Sequence, residues 1–349
     1  MPKVFETMVD EVQAELQDDG TLYTDAFVAI QLEDVTREVS DYEPYVMMET
    51  FKIESRTGTA DEDKSSALVD DAKTQFVSTA FDVGKEVYNT TDKTRAVVTA
   101  FVDTGELTLS KDIFPDGDES YEIFNKGCSD KYQINIEDVT DFVGNNHGVF
   151  AVEHPFGTRR NFTVEGDILT IAVDEVDDSG GTAPDVEVYV WFNKIHRVSQ
   201  LTDLAGTISG TPAAGAKAAT VAAVGTGSEE IAENILFSIA GVRGTYRITA
   251  DMTLSTGGGD IVFWPGLESA GTSGAVITFV GSTFNSTLER LAVELCAARC
   301  ALSLHANAIS KGGTRTYSRY ETKLGIVLNK LERLRRSRKR VSKHIYPKD

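Results

Sequence analysis

The stretch Ser318-Arg319-Tyr320-Glu321-Thr322-Lys323-Leu324-Gly325-Ile326-Val327-Leu328-Asn329-Lys330-Leu331-Glu332-Arg333-Leu334-Arg335-Arg336-Ser337-Arg338-Lys339-Arg340-Val341 decides how the rest of the chain is read. Together with Tyr317, the residues Tyr320, Leu324, Val327, Leu331 and Leu334 recur at steps of three and four, which is one face of an α-helix. At ~1.5 Å per residue such a helix is on the order of 35 Å long, enough to reach beyond its own domain. The segment before it repeats the pattern. Leu288, Leu291, Leu295, Leu302 and Ile309 mark a buried stripe, Ser286 and Glu289 fit a capping box at its start, and Gly312-Gly313 ends it. The two form a helical hairpin.

Charge sets this end apart. Lys311 to Asp349 holds 13 Lys and Arg against 3 Asp and Glu, a net of +10, while the other 310 residues hold 21 basic and 51 acidic side chains, a net of −30. A chain polarised in this way cannot attract phosphate over its whole surface, so the basic end reads as a docking element. Its Arg/Lys run admits three readings: nucleic acid, an acidic protein partner, or a solvated helix end that complements the helix dipole. A helix of this kind suits insertion between acidic surfaces, with Tyr320, Leu324 and Leu331 buried on the partner and Arg333, Arg335, Arg336, Arg338, Lys339, Arg340 and Lys343 setting register and encounter rate.

Its counterpart lies at the far end of the chain. Phe5, Met8, Val12 and Leu16 share a helix face before Gly20, and a second helix opens after Thr24, repeats Val28, Leu32, Val35 and Val39, and stops at Pro44. Isolated helices of this length are marginal in water, which predicts that the two terminal hairpins pack together as one helical domain. The β structure between them is then inserted. The fold class is α+β, a helical domain assembled from N- and C-terminal helices with inserted antiparallel β-barrel or β-sandwich domains.

The expected sections are a helical hairpin over 1–60, a small β-barrel over 61–125, an antiparallel β section over 126–204, a Gly-rich β insertion over 205–283 and the C-terminal helices over 284–349. In 61–125, Ala96, Val98, Ala100 and Val102 alternate, Asp103-Thr104-Gly105 turns the chain, and Leu107 and Leu109 return it. Val83 to Tyr88 and Tyr121 to Phe124 add strands, enough for a barrel of about five. Asp167 to Val173 and Val186 to Phe192 read as antiparallel strands with both faces partly covered. Between Ala205 and Gly281 lie 14 of the 29 glycines and only 9 charged residues, with strands at Tyr246–Ala250, Ile261–Trp264 and Ala275–Val280.

Composition narrows the class. A hydrophobic content of 41% with 25% charged residues is that of a folded protein. No run approaches the roughly 18 uncharged apolar residues of a membrane span, and Met1 to Asp10 carries acids instead of a signal peptide's basic and apolar regions. Three cysteines argue against a disulfide framework and for folding in a reducing cytoplasm.

The opening pattern Val9-Asp10-Glu11-Val12…Glu15-Leu16…Tyr23-Thr24-Asp25…Val35-Thr36-Arg37-Glu38-Val39-Ser40-Asp41-Tyr42-Glu43-Pro44 resembles that of tailed-bacteriophage head-to-tail connector proteins, the adaptor ring beneath the portal. So does the closing pattern, Leu288-Glu289-Arg290-Leu291-Ala292 through Ala297-Ala298-Arg299 to Tyr320…Lys323-Leu324 and Leu331-Glu332-Arg333-Leu334. Val152-Glu153-His154-Pro155 with Val186 to His196, and Phe237-Ser238-Ile239-Ala240-Gly241…Tyr246-Arg247-Ile248-Thr249-Ala250, are similar to segments of phage virion proteins. The large β insertions depart from the smallest family members. The resemblance implies a homo-oligomeric ring, a dodecamer, in the virion neck. In it the C-terminal segment engages the portal protein, the other side meets downstream tail, stopper or nozzle proteins, and genomic DNA passes through the lumen without sequence-specific binding. A net charge of −30 outside the basic end suits a conduit to which DNA must not stick.

Chemistry is not written into the residues. Cys296, Cys300 and His305 fall near one helix face, but no second Cys or His pair completes a tetrahedral set, and core packing is the reading adopted. His147, His154 and His196 lack an accompanying nucleophile elbow, phosphate loop or His-Glu-x-x-His motif. Asp61-Glu62-Asp63, Asp116-Gly117-Asp118-Glu119 and Asp174-Glu175…Asp177-Asp178 do not match the twelve-residue calcium loop and read as solvated turns. The expectation is a structural protein with no catalytic residue, metal or cofactor. The alternative is a host-surface or carbohydrate-binding tail protein presenting Trp191 or Trp264.

Overall fold

The computed structural model describes residues 3–54, 56–172, 187–199, 205–225, 227–264, 266–305 and 314–341. The chain divides into two compact units, Met1–Tyr45 with Ile195–Asp349, and Val46–Lys194. The first unit therefore holds both chain ends and the Gly-rich section. The second is a single insertion that takes in the expected section 61–125 and the section 126–204 as far as Lys194; the rest of that section belongs to the first unit.

In the first unit, α1 (Phe5–Leu16) and α2 (Asp25–Tyr42) form where the period-3.6 stripes predict them. Met8, Val12, Val28, Leu32, Val35 and Val39 are fully buried. Thr24 takes the N-cap position of α2 with extended backbone, yet its side chain makes no capping hydrogen bond.

The second unit opens with β1 (Tyr45–Lys52), so the helical section ends at Tyr45 and not near residue 60. Then come β2 (Thr57–Thr59), β3 (Ala67–Val69), α3 (Thr79–Asp82), β4 (Glu86–Asn89), β5 (Thr94–Phe101), β6 (Glu106–Leu109) and β7 (Ser120–Phe124). These strands form a six-stranded sheet in the order β2-β7-β4-β5-β6-β3. It is an unclosed barrel: the two edges approach through one backbone–backbone bond, Asp61 N–H to the Val69 carbonyl at 2.8 Å, because β2 and β3 are three residues each and too short to pair further.

The unit is completed by β8 (Gln133–Asn135), β9 (Val149–Glu153), β10 (Arg159–Arg160), β11 (Phe162–Glu165), β12 (Ile168–Ile171) and β13 (Glu187–Lys194). They make the sheets β1-β13-β9-β10 and β11-β12-β8. Alternation in β13 buries Val188, Val190 and Phe192 in a core shared with Ile134, Val152, Leu169 and Ile171.

The chain returns to the first unit and builds β14 (Ala205–Ser209), β15 (Ala218–Ala222), β16 (Glu229–Ile231), β17 (Leu236–Ile239), β18 (Val242–Ile248), β19 (Met252–Leu254), β20 (Gly259–Trp264) and β21 (Val276–Phe279). Here is the closed barrel, in the order β14-β15-β20-β18-β17-β21, with β16 and β19 as a separate ribbon. Closure thus belongs to the Gly-rich section and not to 61–125. Phe237 fills its centre, with ring centroids 5.3 Å from Phe263, 5.6 Å from Tyr246 and 5.7 Å from Phe279. Small residues let the wall close over these rings: a Cβ on Gly206 would lie 2.5 Å from Val224 Cγ2.

Two helices finish the unit, α4 (Ser286–His305) and α5 (Thr314–Val341). α4 is buried on nearly every side, from Leu288 and Leu291 to Ala297, Ala298 and Ala301, because α1, α2 and α5 surround it. All four helices share one core. The helix opens on Asn285, whose Oδ1 accepts from the N–H groups of Thr287 and Leu288 at 3.0 Å each. The expected Ser286–Glu289 box does not form, since Glu289 Oε1 instead accepts from the Lys3 N–H at 3.0 Å. Leu302 is partly buried, and Ile309 and Gly312-Gly313 lie outside the described residues.

Candidate docking surface

α5 is two-faced because its apolar residues recur at helical spacing while its other positions are charged or small. Val327 and Leu331 are fully buried, and Tyr320, Leu324, Leu328 and Leu334 pack partly buried against the same core. This corrects the docking assignment. Leu331 presents no surface to a partner, and Tyr320 and Leu324 lie against the chain's own helices, because α4 needs a third neighbour to cover its apolar surface. The outward side of α5 carries Thr322, Gly325, Ile326, Asn329, Arg333 and Arg336. Ile326 stands 52% exposed.

Of the basic residues expected to dock, Arg333, Arg335 and Arg336 are exposed. Arg335 and Arg336 approach Glu332 at 3.8 and 3.3 Å, and Arg333 has no ion pair among the described residues. The helix runs on through Val341, so Arg338, Lys339 and Arg340 are carried on helical backbone. Their side chains, and Lys343 altogether, lie outside the described residues.

The structure adds a residue to this surface that the sequence pattern gave no reason to select. Arg290, on the first turns of α4, meets Glu294 at 3.1 Å, and Lys330 reaches the same carboxylate at 3.2 Å. Arg290, Leu291, Lys330, Arg333 and Leu334 line a groove of about 430 Å³. Its rim is cationic and its floor apolar. Exposed ion pairs of this sort contribute about 0–1 kcal/mol to folding, so the groove's charge is not a device for stability. Lys330 and Arg333 arrive from a helix some forty residues later, a juxtaposition that no local spacing shows.

The remaining candidates resolve into packing and turns. Cys296 and Cys300 are buried with sulfurs 3.9 Å apart, Cys128 is buried alone, and the His305 side chain is outside the described residues. His147 Nε2 lies 2.9 Å from Asp167, and His154 Nδ1 lies 3.0 Å from the Glu187 carbonyl. His196 is buried and fully hydrogen-bonded. Asp61 Oδ2 accepts from the N–H groups of Asp71 and Ala72 at 2.6 and 3.2 Å, so this carboxylate links the segments after β2 and β3 instead of capping a local turn. Asp174 to Asp178 are outside the described residues. No group of three or more metal-ligating side chains occurs among the described residues, and no described helix is long and apolar enough to cross a membrane. Trp264 is partly buried with Arg247 5.9 Å from its ring, and Trp191 is partly buried with its indole N–H enclosed. No protein-family model, curated protein or solved structure matches the chain.

Proposed function

We propose that this chain is a subunit of the head-to-tail connector of a tailed bacteriophage, a structural virion protein that performs no chemistry. Copies form a ring, a dodecamer by family resemblance, that joins the portal to downstream tail, stopper or nozzle proteins and lines the DNA conduit. The protein folds in the host cytoplasm and resides in the virion neck. The observation that carries the reading is α5. Leu334 is its last described side chain packed on the core, and the helix continues seven residues further, about 10 Å, through an Arg/Lys-rich sequence. The docking face is accordingly Arg335, Arg336, Arg338, Lys339, Arg340 and Lys343, without Arg333, which rims the α4–α5 groove, and without the apolar residues of the inner stripe. Complementary charge at such a contact sets register and speeds encounter.

The test is to mix the full chain, and a chain ending at Arg336, with the portal of the same particle and follow complex size by light scattering. The full chain joins the portal as a defined ring and the shortened chain does not. Two forms that both ignore the portal would sink the docking role.

A host-surface or carbohydrate-binding tail protein is the second reading, favoured by one feature of the inserted unit. Phe156 is 62% exposed and stands edge-on to Tyr189 at 5.1 Å, with the Tyr189 hydroxyl donating to Glu187 at 2.7 Å. Aromatic faces beside a carboxylate suit a sugar, and binding on a glycan array that is lost in Phe156→Ala would move the assignment there.

A further inference from the structure

We infer that copies of this chain join head to tail, the acidic loop between α1 and α2 of one copy seating its exposed Leu22 in the groove rimmed by Arg290, Lys330 and Arg333 on the next. The inference deepens the ring reading above by naming the surfaces that make the ring.

The loop has the form of a knob. Leu22 is 58% exposed, although it sits between residues that are firmly held. Asp18 Oδ2 accepts from the N–H groups of Gly20, Leu22 and Tyr23 at 3.1, 3.2 and 2.8 Å, and Gln13 Nε2 donates to the Tyr23 carbonyl at 2.8 Å. The loop therefore presents Leu22 without further ordering, which lowers the entropic cost of binding. Around Leu22 lie Asp18, Asp19 and Asp25, and no Lys or Arg occurs anywhere from residue 4 to residue 36.

The groove is complementary in both respects. Leu291 and Leu334 form an apolar floor, and three cationic side chains rim it, two of them sharing the carboxylate of Glu294 while Arg333 has no ion pair among the described residues. An exposed leucine set among carboxylates matches an apolar floor set among guanidinium and ammonium groups. A phosphate backbone would satisfy the rim and leave the floor exposed.

Knob and groove cannot meet within one chain. The Lys3 N–H bonds to Glu289, which fixes the start of α1 beside the first turn of α4, next to the groove. Glu15, at the other end of α1, pairs with Lys323 on the first half of α5. The twelve residues of α1 separate these points by about 18 Å, so groove and loop lie at opposite ends of the helical bundle. Two complementary patches at opposite ends generate a heterologous contact, which closes into a ring when the rotation between copies allows it and otherwise propagates.

The experiment uses two surface variants of the full chain. One carries Leu22→Ser with Asp19→Lys, the other Arg290→Ser with Arg333→Glu; all four positions lie outside the core, and circular dichroism confirms that each variant folds. By light scattering at low salt, the unaltered chain forms a large defined assembly while each variant alone stays monomeric. Mixing the two variants restores one intact knob and one intact groove, and yields a complex of two copies and nothing larger. If the unaltered chain assembles and both variants still do, the interface lies elsewhere and this inference fails while the ring reading stands. An unaltered chain that is monomeric at every concentration overturns both. Assembly that appears only on adding DNA and is lost in the groove variant assigns the groove to phosphate and overturns the head-to-tail contact.

Discussion

The imidazole of His196 stacks on the ring of Phe284 with 4.3 Å between centroids. Its Nε2 donates to the Glu43 carbonyl at 2.9 Å, so its Nδ1 accepts from the Thr283 hydroxyl at 2.9 Å. Its backbone N–H donates to Ser40 Oγ, also at 2.9 Å. One side chain thus ties the end of α2, the chain returning at Ile195 and the approach to α4. Burial pulls this imidazole down to about 4. In the unfolded chain it titrates near 6.5, so between about pH 6.5 and 4 the unfolded state binds more protons and stability falls as the pH drops. The contribution is on the order of 2–3 kcal/mol across that window. Urea unfolding at pH 7 and pH 4.5 should show a smaller pH loss in His196→Gln than in the unaltered protein; equal losses would remove His196 as the cause.

A buried ion network in the inserted unit gives the second prediction. Arg56 Nη2 meets Glu54 at 2.8 Å and Asp82 at 2.6 Å, Lys85 pairs with Glu54, and the Lys85 ammonium lies 3.6 Å from the centre of the Phe81 ring. Burial opposes the charge on Glu54, but the Arg56 hydrogen bonds and the charges of Arg56 and Lys85 outweigh it and hold the carboxyl below its usual value. Its contribution is therefore present above the ordinary carboxylate range and is lost as the pH falls through the lowered value. Glu54→Gln leaves two buried cations short of a counter-charge and should cost about 3–5 kcal/mol in urea unfolding at pH 7. A loss below 1 kcal/mol would mean that the network is not felt as a unit.

Gly58 supports a third. A Cβ there would lie 2.3 Å from Asp70 Oδ2 and 2.5 Å from the Tyr121 hydroxyl, the two atoms that bond each other at 2.5 Å. Gln75 Nε2 donates to that same hydroxyl at 2.5 Å. Gly58→Ala must displace Tyr121 from both partners, with an expected cost of about 2–3 kcal/mol. Thermal unfolding in parallel with Gly227→Ala, where nothing lies within 4 Å of the added methyl and the backbone is not left-handed, separates this clash from the cost of losing a glycine.

Helix caps show how far the sequence could be read. The stripes Phe5-Met8-Val12-Leu16 and Val28-Leu32-Val35-Val39 were legible because burial in a helix is local in sequence. The hairpin at Asp103-Thr104-Gly105 was legible for the same reason. Barrel closure was not, since β14 pairs with β21 some seventy residues away and its Ala, Gly and Thr residues carry little alternating signal. The groove was hidden too, because Arg290 and Arg333 meet only through the α4–α5 packing. At α4, Ser286 and Glu289 offered a better-known pattern than Asn285, and the polar group that won is the one whose side chain reaches two free N–H groups. Asn285→Ala should therefore cost about 1 kcal/mol in urea unfolding and Ser286→Ala close to nothing. The reverse order would restore the capping box.

Folding and docking on α5 should separate cleanly. Leu331 is fully buried between helices, and Leu331→Ala removes a core side chain at an expected cost of about 2–5 kcal/mol. Arg336 is exposed and, among the described residues, forms its ion pair with Glu332 one turn away, so Arg336→Ala should change stability by no more than about 0.5 kcal/mol. If the outer face of α5 serves a partner, Arg336→Ala combined with Arg335→Ala weakens that contact and steepens its loss with salt while the unfolding midpoint stays in place. Urea unfolding and portal binding measured on the same preparations decide the matter. A destabilised arginine variant would place these residues in the fold, and a destabilised Leu331 variant that binds the portal normally would confirm that the inner stripe belongs to the chain's own core.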